Sequence, residues 1–291
     1  MKLAVVYPVL NQFPIAQTAI RFAQRNISGE NEVEIIVLDN ASEEPFPEME
    51  GVEIVRFSKN VGVYTTFWES LKNTNADVLA FLHSDLIVCE KGWDKRVLKA
   101  FEDNQKLGLV GFIGSNEIDR MGGRGYGTTS NFQGCIYHYS DGGVGVRDHI
   151  VSDKLPYWKG SPAGVHGRVS DGFSQAKVVD GCAMIFRRSV LEQIPQRENF
   201  PPHHFYDRLL SCEVLERGYE VGVLGIACDH ISGQTVCHEQ KYMETAKKWC
   251  EAHGLGNDDP NTNWDGVIYK EAERQWLSEY RDIKHFIPCR I

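Results

Sequence analysis

No two of the eight cysteines in the sequence form a C-x-x-C pair, which excludes a zinc knuckle or a thioredoxin-like redox motif. Cys89, Cys135, Cys182, Cys212, Cys228, Cys237, Cys250 and Cys289 are dispersed through apolar segments and read as buried free thiols rather than a disulfide framework. Long apolar runs are lacking too. No stretch of about 18 apolar residues occurs, so no transmembrane segment is expected. The opening apolar run, residues 3–7, is too short for a signal sequence and reads as a buried strand; a cytoplasmic location is the expectation. Positive charge is in deficit: 31 Lys and Arg against 40 Asp and Glu give a formal net charge of -9. A nucleic-acid binder needs a basic surface for phosphates, so nucleic acid is not an expected partner. A single nucleotide stays possible, because one bound cation neutralises a diphosphate locally. Internal repeats and low-complexity tracts are absent as well.

What is present suits a soluble globular protein. The 291 residues, 42% hydrophobic and 24% charged, suffice for one large domain, or one domain with a small appendage, around an unstapled core. Short apolar runs at 3–7, 33–38, 52–57, 78–82 and 107–113 predict strands. Helical periodicity at 12–26, 61–72 and 93–101 predicts helices between them. Such alternation implies an α/β fold with a mainly parallel sheet flanked by helices, whose ligands sit beyond the carboxyl ends of the strands. Residues 114–176 are rich in Gly, Ser, Asp and aromatics; a long irregular segment of this kind is either a binding loop or lid, or a surface excursion. Regular patterns return with a strand-like 176–187, a helix at 206–217 ending at Gly218, a strand at 220–226 and two C-terminal helices at 240–253 and 267–280.

Several polar groups stand at these predicted strand and helix ends. His83-Ser84-Asp85 follows a buried strand. A carboxylate there can hold a divalent cation that bridges two phosphates; hard oxygen ligands suit magnesium or manganese, and an imidazole tilts the choice toward manganese. Asp after a strand is equally a turn residue or helix cap. Asp39-Asn40 either accepts hydrogen bonds from a base or ribose, or makes an Asx turn. Lys59-Asn60-Val61-Gly62 allows a tight turn, and helix-start amides favour an anion. Asp207 opens a helix, where Asp is a common cap, and His230 alone is as readily structural as a ligand.

The order of these segments resembles the large family of inverting glycosyltransferases with the GT-A fold, glycosyltransferase family 2, over about residues 3–233. Val5-Val6-Tyr7-Pro8-Val9 is similar to the family's first strand and loop, whose backbone meets the nucleotide base. Ile36-Val37-Leu38-Asp39-Asn40-Ala41-Ser42 resembles its "V-V-D-N-x-S" segment, Asn60-Val61-Gly62 its "N-x-G" turn, and Leu82-His83-Ser84-Asp85 its "L-D-x-D" metal motif. Gly181 through Arg187-Arg188 resembles the "G-x-x-x-x-x-R-R" strand beside the acceptor site. Phe205-Tyr206-Asp207 followed by Glu216-Arg217-Gly218-Tyr219 resembles "E-D … R-x-G-Y". The sequence departs at two places: His83 stands for the first Asp of the metal motif, and Tyr206 for the Glu before the base.

The resemblance implies a GT-A domain over 1–235, with 114–176 as an acceptor-side or lid segment and 236–291 as a C-terminal helical extension. It implies a nucleotide-sugar donor (a uridine diphosphate sugar first, guanosine or thymidine donors next) and a glycan or other hydroxyl acceptor. Pro8, Val9, Asp39, Asn40, Asn60, Gly62, His83, Ser84 and Asp85 would meet the donor. Asp85 and His230 would hold Mn2+ or Mg2+, with His83 an additional contact. Asp207 would be the general base, and Asp180, Gly181 and Trp158 would lie on the acceptor side. A nucleotidyltransferase that makes a nucleotide-sugar is the runner-up, but residues 8–13 hold no Gly, Lys or Arg to cradle a triphosphate. A non-catalytic carbohydrate-binding protein on the same fold is the third reading. The C-terminal helices either pack on the domain, bind a partner or form a homodimer.

Overall fold

A computed structural model describes residues 1–116, 118–119, 132–134, 136–139, 162–165, 168–169, 172–230, 240–255, 259–280 and 286–287. The strands are β1 (Leu3–Val9), β2 (Val33–Asp39), β3 (Val52–Arg56), β4 (Val78–Leu82), β5 (Leu86–Val88), β6 (Leu107–Gly111), β7 (Ile113–Ser115), β8 (Ile118–Asp119), β9 (Phe132–Gly134), β10 (Ile136–Tyr139), β11 (Pro162–Val165), β12 (Arg168–Val169), β13 (Phe173–Ala176), β14 (Val178–Val179), β15 (Ala183–Arg187), β16 (Glu220–Leu224), β17 (Cys228–His230) and β18 (Phe286–Ile287). The helices are α1 (Phe13–Arg25), α2 (Gly62–Asn73), α3 (Trp93–Asp103), α4 (Arg188–Leu191), α5 (Tyr206–Glu216), α6 (Gln240–Ala252) and α7 (Trp264–Tyr280).

The central sheet has the order β13-β16-β6-β15-β4-β1-β2-β3. Strands β3, β2, β1 and β4 run parallel, as do β6 and β16, whereas β15 is antiparallel to both of its neighbours and β13 to β16. The mainly parallel α/β expectation holds, with β15 inside the sheet and β13 at its edge as the exceptions. Side chains of β1 alternate between two cores: Leu3, Val5, Tyr7 and Val9 join Ile15 and Trp93 on one face, while Ala4 and Val6 join Tyr64, Phe67 and Leu210 on the other. Helices cover both faces, so the strand reads as a continuous apolar run rather than an alternating one.

Arg187 and Arg188, where β15 meets α4, fasten two helix ends. Arg187 donates to the carbonyls of Phe101 and Asn104 at the end of α3 and of Leu107 at the start of β6, and Arg188 to those of Leu71 and Thr74 at the end of α2. Both satisfy carbonyls that a helix terminus leaves without an internal partner.

Three differences from the sequence expectations bear on the site. The predicted strand 107–113 divides at Phe112: β6 stays in the central sheet, and β7 joins a separate sheet of order β12-β9-β7-β14. The segment 114–176 contains short strands rather than only loops, and Trp158 lies outside the described residues. Strands β5 and β17 form a further sheet of order β11-β10-β17-β5. The two C-terminal helices enclose a small core of Ala246, Cys250, Trp264 and Ile268. They pack on the domain through Ala272, which is buried in the larger core, and through a hydrogen bond of 2.9 Å between His204 Nε2 and Asp265 Oδ1. Among the described residues no helix is long and apolar enough to cross a membrane, and Cys89, Cys182, Cys212, Cys228 and Cys250 are free thiols.

Candidate active site

The parallel strands β1, β2 and β4 all end on one edge of the central sheet, as crossover connections require. After β4 the chain leaves the sheet at His83, whose backbone N–H donates to the Cys182 carbonyl at 2.9 Å. It then turns through Ser84-Asp85 into β5. Strand β17 pairs antiparallel with β5 so that His230 stands opposite Leu86. That register sets His230 beside Asp85. His230 therefore belongs to a strand, not to a loop beyond one. Its Nε2 is 3.4 Å from Asp85 Oδ1, and His83 Nδ1 is 3.8 Å from the same oxygen. One ligand atom from each of His83, Asp85 and His230 lies within 4.8 Å of the others.

The chemistry of this donor set fits a divalent cation. Burial raises the Asp85 pKa, but the charge of His230, its hydrogen bond and the charge of His83 lower it further, so the carboxyl ends below its ordinary range and is ionised at neutral pH. Burial, with the charge of His230, holds the His83 pKa below its usual value against the opposite pulls of Asp85 and Asp207. A neutral imidazole keeps a lone pair to offer a metal. Two imidazoles beside one carboxylate suit manganese better than magnesium.

Next to the cluster lies a cavity of about 110 Å³ lined by Pro8, Val9, Leu10, Gln12, Asn40, Val63, His83, Ser84, Asp85 and His203. Six of the nine residues expected to meet a donor, namely Pro8, Val9, Asn40, His83, Ser84 and Asp85, are on its wall. Asn60 and Gly62 line an adjoining cavity of about 830 Å³ that shares Leu10 and His203 with the first. Gly62 has φ +77°, and a Cβ there would stand 2.1 Å from the Pro202 side chain, so only glycine fits. The Asn60 Oδ1 accepts from Gly62 N at 2.8 Å, while its buried Nδ2 has no acceptor among the described residues. Lys248, Trp249 and His253 of the C-terminal segment complete the wall, a contribution that helical periodicity alone could not locate.

Asp39 is placed differently from expectation. It is wholly buried and lines neither cavity. Its Oδ1 accepts from Ser42 N at 3.0 Å, and its Oδ2 from Phe46 N at 3.1 Å and Arg56 Nη1 at 3.0 Å. The carboxylate organises the loop after β2 and presents Asn40, whose Oδ1 accepts from Val61 N at 2.8 Å. An Asx turn with an ion pair, the structural alternative at this position, accounts for every bond it makes. Asn11, Ala41 and Phe205, in the loops after β1 and β2 and just before α5, have φ of 64°, 63° and 64°. Left-handed backbone at residues other than glycine is uncommon, and of these three residues Ala41 lines the larger cavity.

Asp207 sits in the first turn of α5, nearly buried. Its Oδ1 accepts from Arg208 N at 2.9 Å and from Arg208 Nη1 at 3.2 Å. Its charge is close enough to act on His83, although it lines neither cavity. Asp180 Oδ1 accepts from Cys182 N at 2.9 Å in the turn before β15, and Gly181 packs against the Tyr206 ring, where a Cβ would meet the hydroxyl at 2.5 Å. The two departures from the resembled pattern touch each other: His83 Nε2 is 2.8 Å from the Tyr206 hydroxyl across 123 residues of sequence.

His203, shared by both cavities, has its pKa pushed down to about 4, chiefly by burial, with His204 acting in the same direction and Asp265 against it. The unfolded chain, with an ordinary value of 6.5, takes up the proton first. Stability from this group is thus complete above about 6.5 and declines as the pH falls toward 4. Thermal melts across this range should show the midpoint falling on acidification, and His203→Gln should flatten the fall. Parallel curves for the two proteins would exclude the effect.

A family model described as "Glycosyltransferase like family" matches residues 45–263. No curated protein sequence matches the chain. Among solved structures, the mannosyltransferase PcManGT from Pyrobaculum calidifontis, in complex with GDP-Man and Mn2+, is similar over 95% of this chain and 72% of that one, at 12% identity and a TM-score of 0.51. The crystal structure of A197 from STIV is similar over 80% of this chain and 87% of that one, at 14% identity and a TM-score of 0.43. The first likeness is one of fold: a large mixed α/β sheet between helices. With the family model spanning more than half of the residues, the chain belongs to the glycosyltransferase-like family.

Proposed function

We propose that this glycosyltransferase moves a sugar from a nucleoside-diphosphate sugar to an acceptor hydroxyl, with inversion at the anomeric carbon. The supporting observation is the cluster of His83, Asp85 and His230, two of whose members, His83 and Asp85, line the cavity walled by the ends of β1 and β2. His83, Asp85 and His230 would hold a divalent cation, manganese before magnesium, which would supply charge stabilisation for the leaving diphosphate. Pro8, Val9 and Asn40 bound the donor on one side, and the Asn60 amide, buried without an acceptor among the described residues, is available to it on the other. Sites for ligands of this size hold roughly 300–1,000 Å³. The 110 Å³ cavity alone is too small, so the rest of the donor would occupy the adjoining 830 Å³ cavity, whose wall shares Leu10 and His203 with the first. Asp207 takes the proton of the acceptor hydroxyl as that oxygen attacks, and the diphosphate leaves from the opposite face. Asp180 and Gly181 border the acceptor side.

The nucleotide is open to direct test. Uridine diphosphate sugars come first, and GDP-mannose is added because the fold neighbour was solved with GDP-Man. Each donor is incubated with the protein, with and without manganese, and release of nucleoside diphosphate is measured with an acceptor panel. One donor should be consumed in a manganese-dependent way, and nuclear magnetic resonance of the fresh product should show the inverted anomer. A retained anomer would overturn the in-line mechanism, and full turnover in chelator would overturn the role of the cation.

A further inference from the structure

We infer that Tyr206 is a positioning residue: its hydroxyl fixes the His83 ring so that Nδ1 faces the Asp85–His230 pair, and so sets how tightly the site holds its cation. The inference rests on the metal-assisted reading above. It adds a residue to which neither the sequence pattern nor the family match gives a role.

The two nitrogens of His83 point to different partners. Nδ1 is 3.8 Å from Asp85 Oδ1, within the cluster, and Nε2 is 2.8 Å from the Tyr206 hydroxyl, outside it. A neutral imidazole carries one N–H and one lone pair. For Nδ1 to offer its lone pair to a cation, Nε2 must carry the hydrogen and needs an acceptor. The Tyr206 oxygen is that acceptor. A hydroxyl can also donate, so the same contact serves the opposite tautomer when no cation is bound. Phenylalanine serves neither.

Packing leaves the hydroxyl one place to be. The Tyr206 side chain is 6% exposed, and its ring lies against Phe67 with centroids 5.8 Å apart. The absence of a side chain at Gly181 opens the space in which the hydroxyl sits, since a Cβ there would approach to 2.5 Å. Tyr206 is also the first residue of α5 and the neighbour of Asp207, so its hydrogen bond to His83 links the helix that carries the proposed base to the metal cluster.

Partners that orient a metal-bound histidine from outside are worth about 10- to 100-fold in metal affinity. Manganese binding without donor, followed by electron paramagnetic resonance of the free ion, should therefore weaken by about 10- to 100-fold in Tyr206→Phe, which keeps the ring and its packing. Gly181→Ala, which displaces the hydroxyl, should move affinity in the same direction. In a His83→Ala background, Tyr206→Phe should change manganese affinity no further, whereas a purely structural tyrosine would add its own loss. Wild-type affinity in a folded Tyr206→Phe protein, or an additive loss in the double variant, overturns the inference and leaves the metal reading intact. A wild-type protein that binds no manganese overturns both.

Discussion

Asp207→Asn should reduce turnover by about 100- to 10,000-fold, the usual worth of a positioned general base. Donor affinity should change little, because the base acts on the acceptor. The asparagine is chosen for what it keeps. One oxygen of Asp207 is engaged, accepting from the Arg208 backbone N–H at 2.9 Å and from the Arg208 guanidinium at 3.2 Å. Asn retains an oxygen for both. The other oxygen, Oδ2, has no hydrogen bond among the described residues and is the atom proposed to take the proton; Asn replaces it with an NH2 group that cannot. A carboxylate that served only to satisfy the start of α5 would predict a loss of about 1 kcal/mol or less of stability, with activity intact. Single-turnover rates with pre-bound donor, beside a thermal melt, separate the two. Near-normal turnover in a folded Asp207→Asn protein would exclude Asp207 as the base.

The order of the elements was legible because the two periodicities differ and because both faces of the central sheet are covered. Strands β1, β2 and β4 appear as apolar runs with polar residues at their ends, and those ends are where the cavity forms. The metal cluster was legible only through resemblance. Strands β5 and β17 are three residues each, too short to carry a pattern, and they pair across about half of the chain. Nothing in local spacing says that Leu86 will face His230. Asp39 shows the opposite failure. An Asp after a buried strand looks available to a ligand, yet its two oxygens accept two hydrogen bonds from the loop it organises and one from Arg56 at the end of β3. Asn40, next to it and read with it as a donor contact, lines the cavity. His83 and Tyr206 each looked like a departure from a pattern when taken singly, and only the fold brings them into hydrogen-bond contact.

Asp85→Asn should remove the cation from the site and lower turnover by roughly 1,000-fold or more, since an ion at a leaving group is worth several kcal/mol and each 1.36 kcal/mol is tenfold. Activity alone would not assign the cause, because Asp85 also lines the donor cavity. Stability supplies the second reading. A cation that binds only the folded protein stabilises it by about 2.7 kcal/mol at a concentration 100 times its dissociation constant. Manganese should therefore raise the melting temperature of the wild-type protein, and chelator should reverse the rise. Asparagine has nearly the size of aspartate but contributes no charge, and the two imidazoles left behind are weaker company for a hard cation. The manganese-dependent rise should thus be lost in Asp85→Asn. Without metal, the variant should be somewhat less stable than wild type at neutral pH. The Asp85 pKa is held below its unfolded value, so its ionised form contributes stability above that value and loses it as the pH falls through the depressed one. An inactive variant that still shows the full manganese shift would mean that the carboxylate acts on the donor and that the cation sits elsewhere. A variant matching the wild type in both turnover and shift would leave His83, Asp85 and His230 as a buried polar cluster and nothing more.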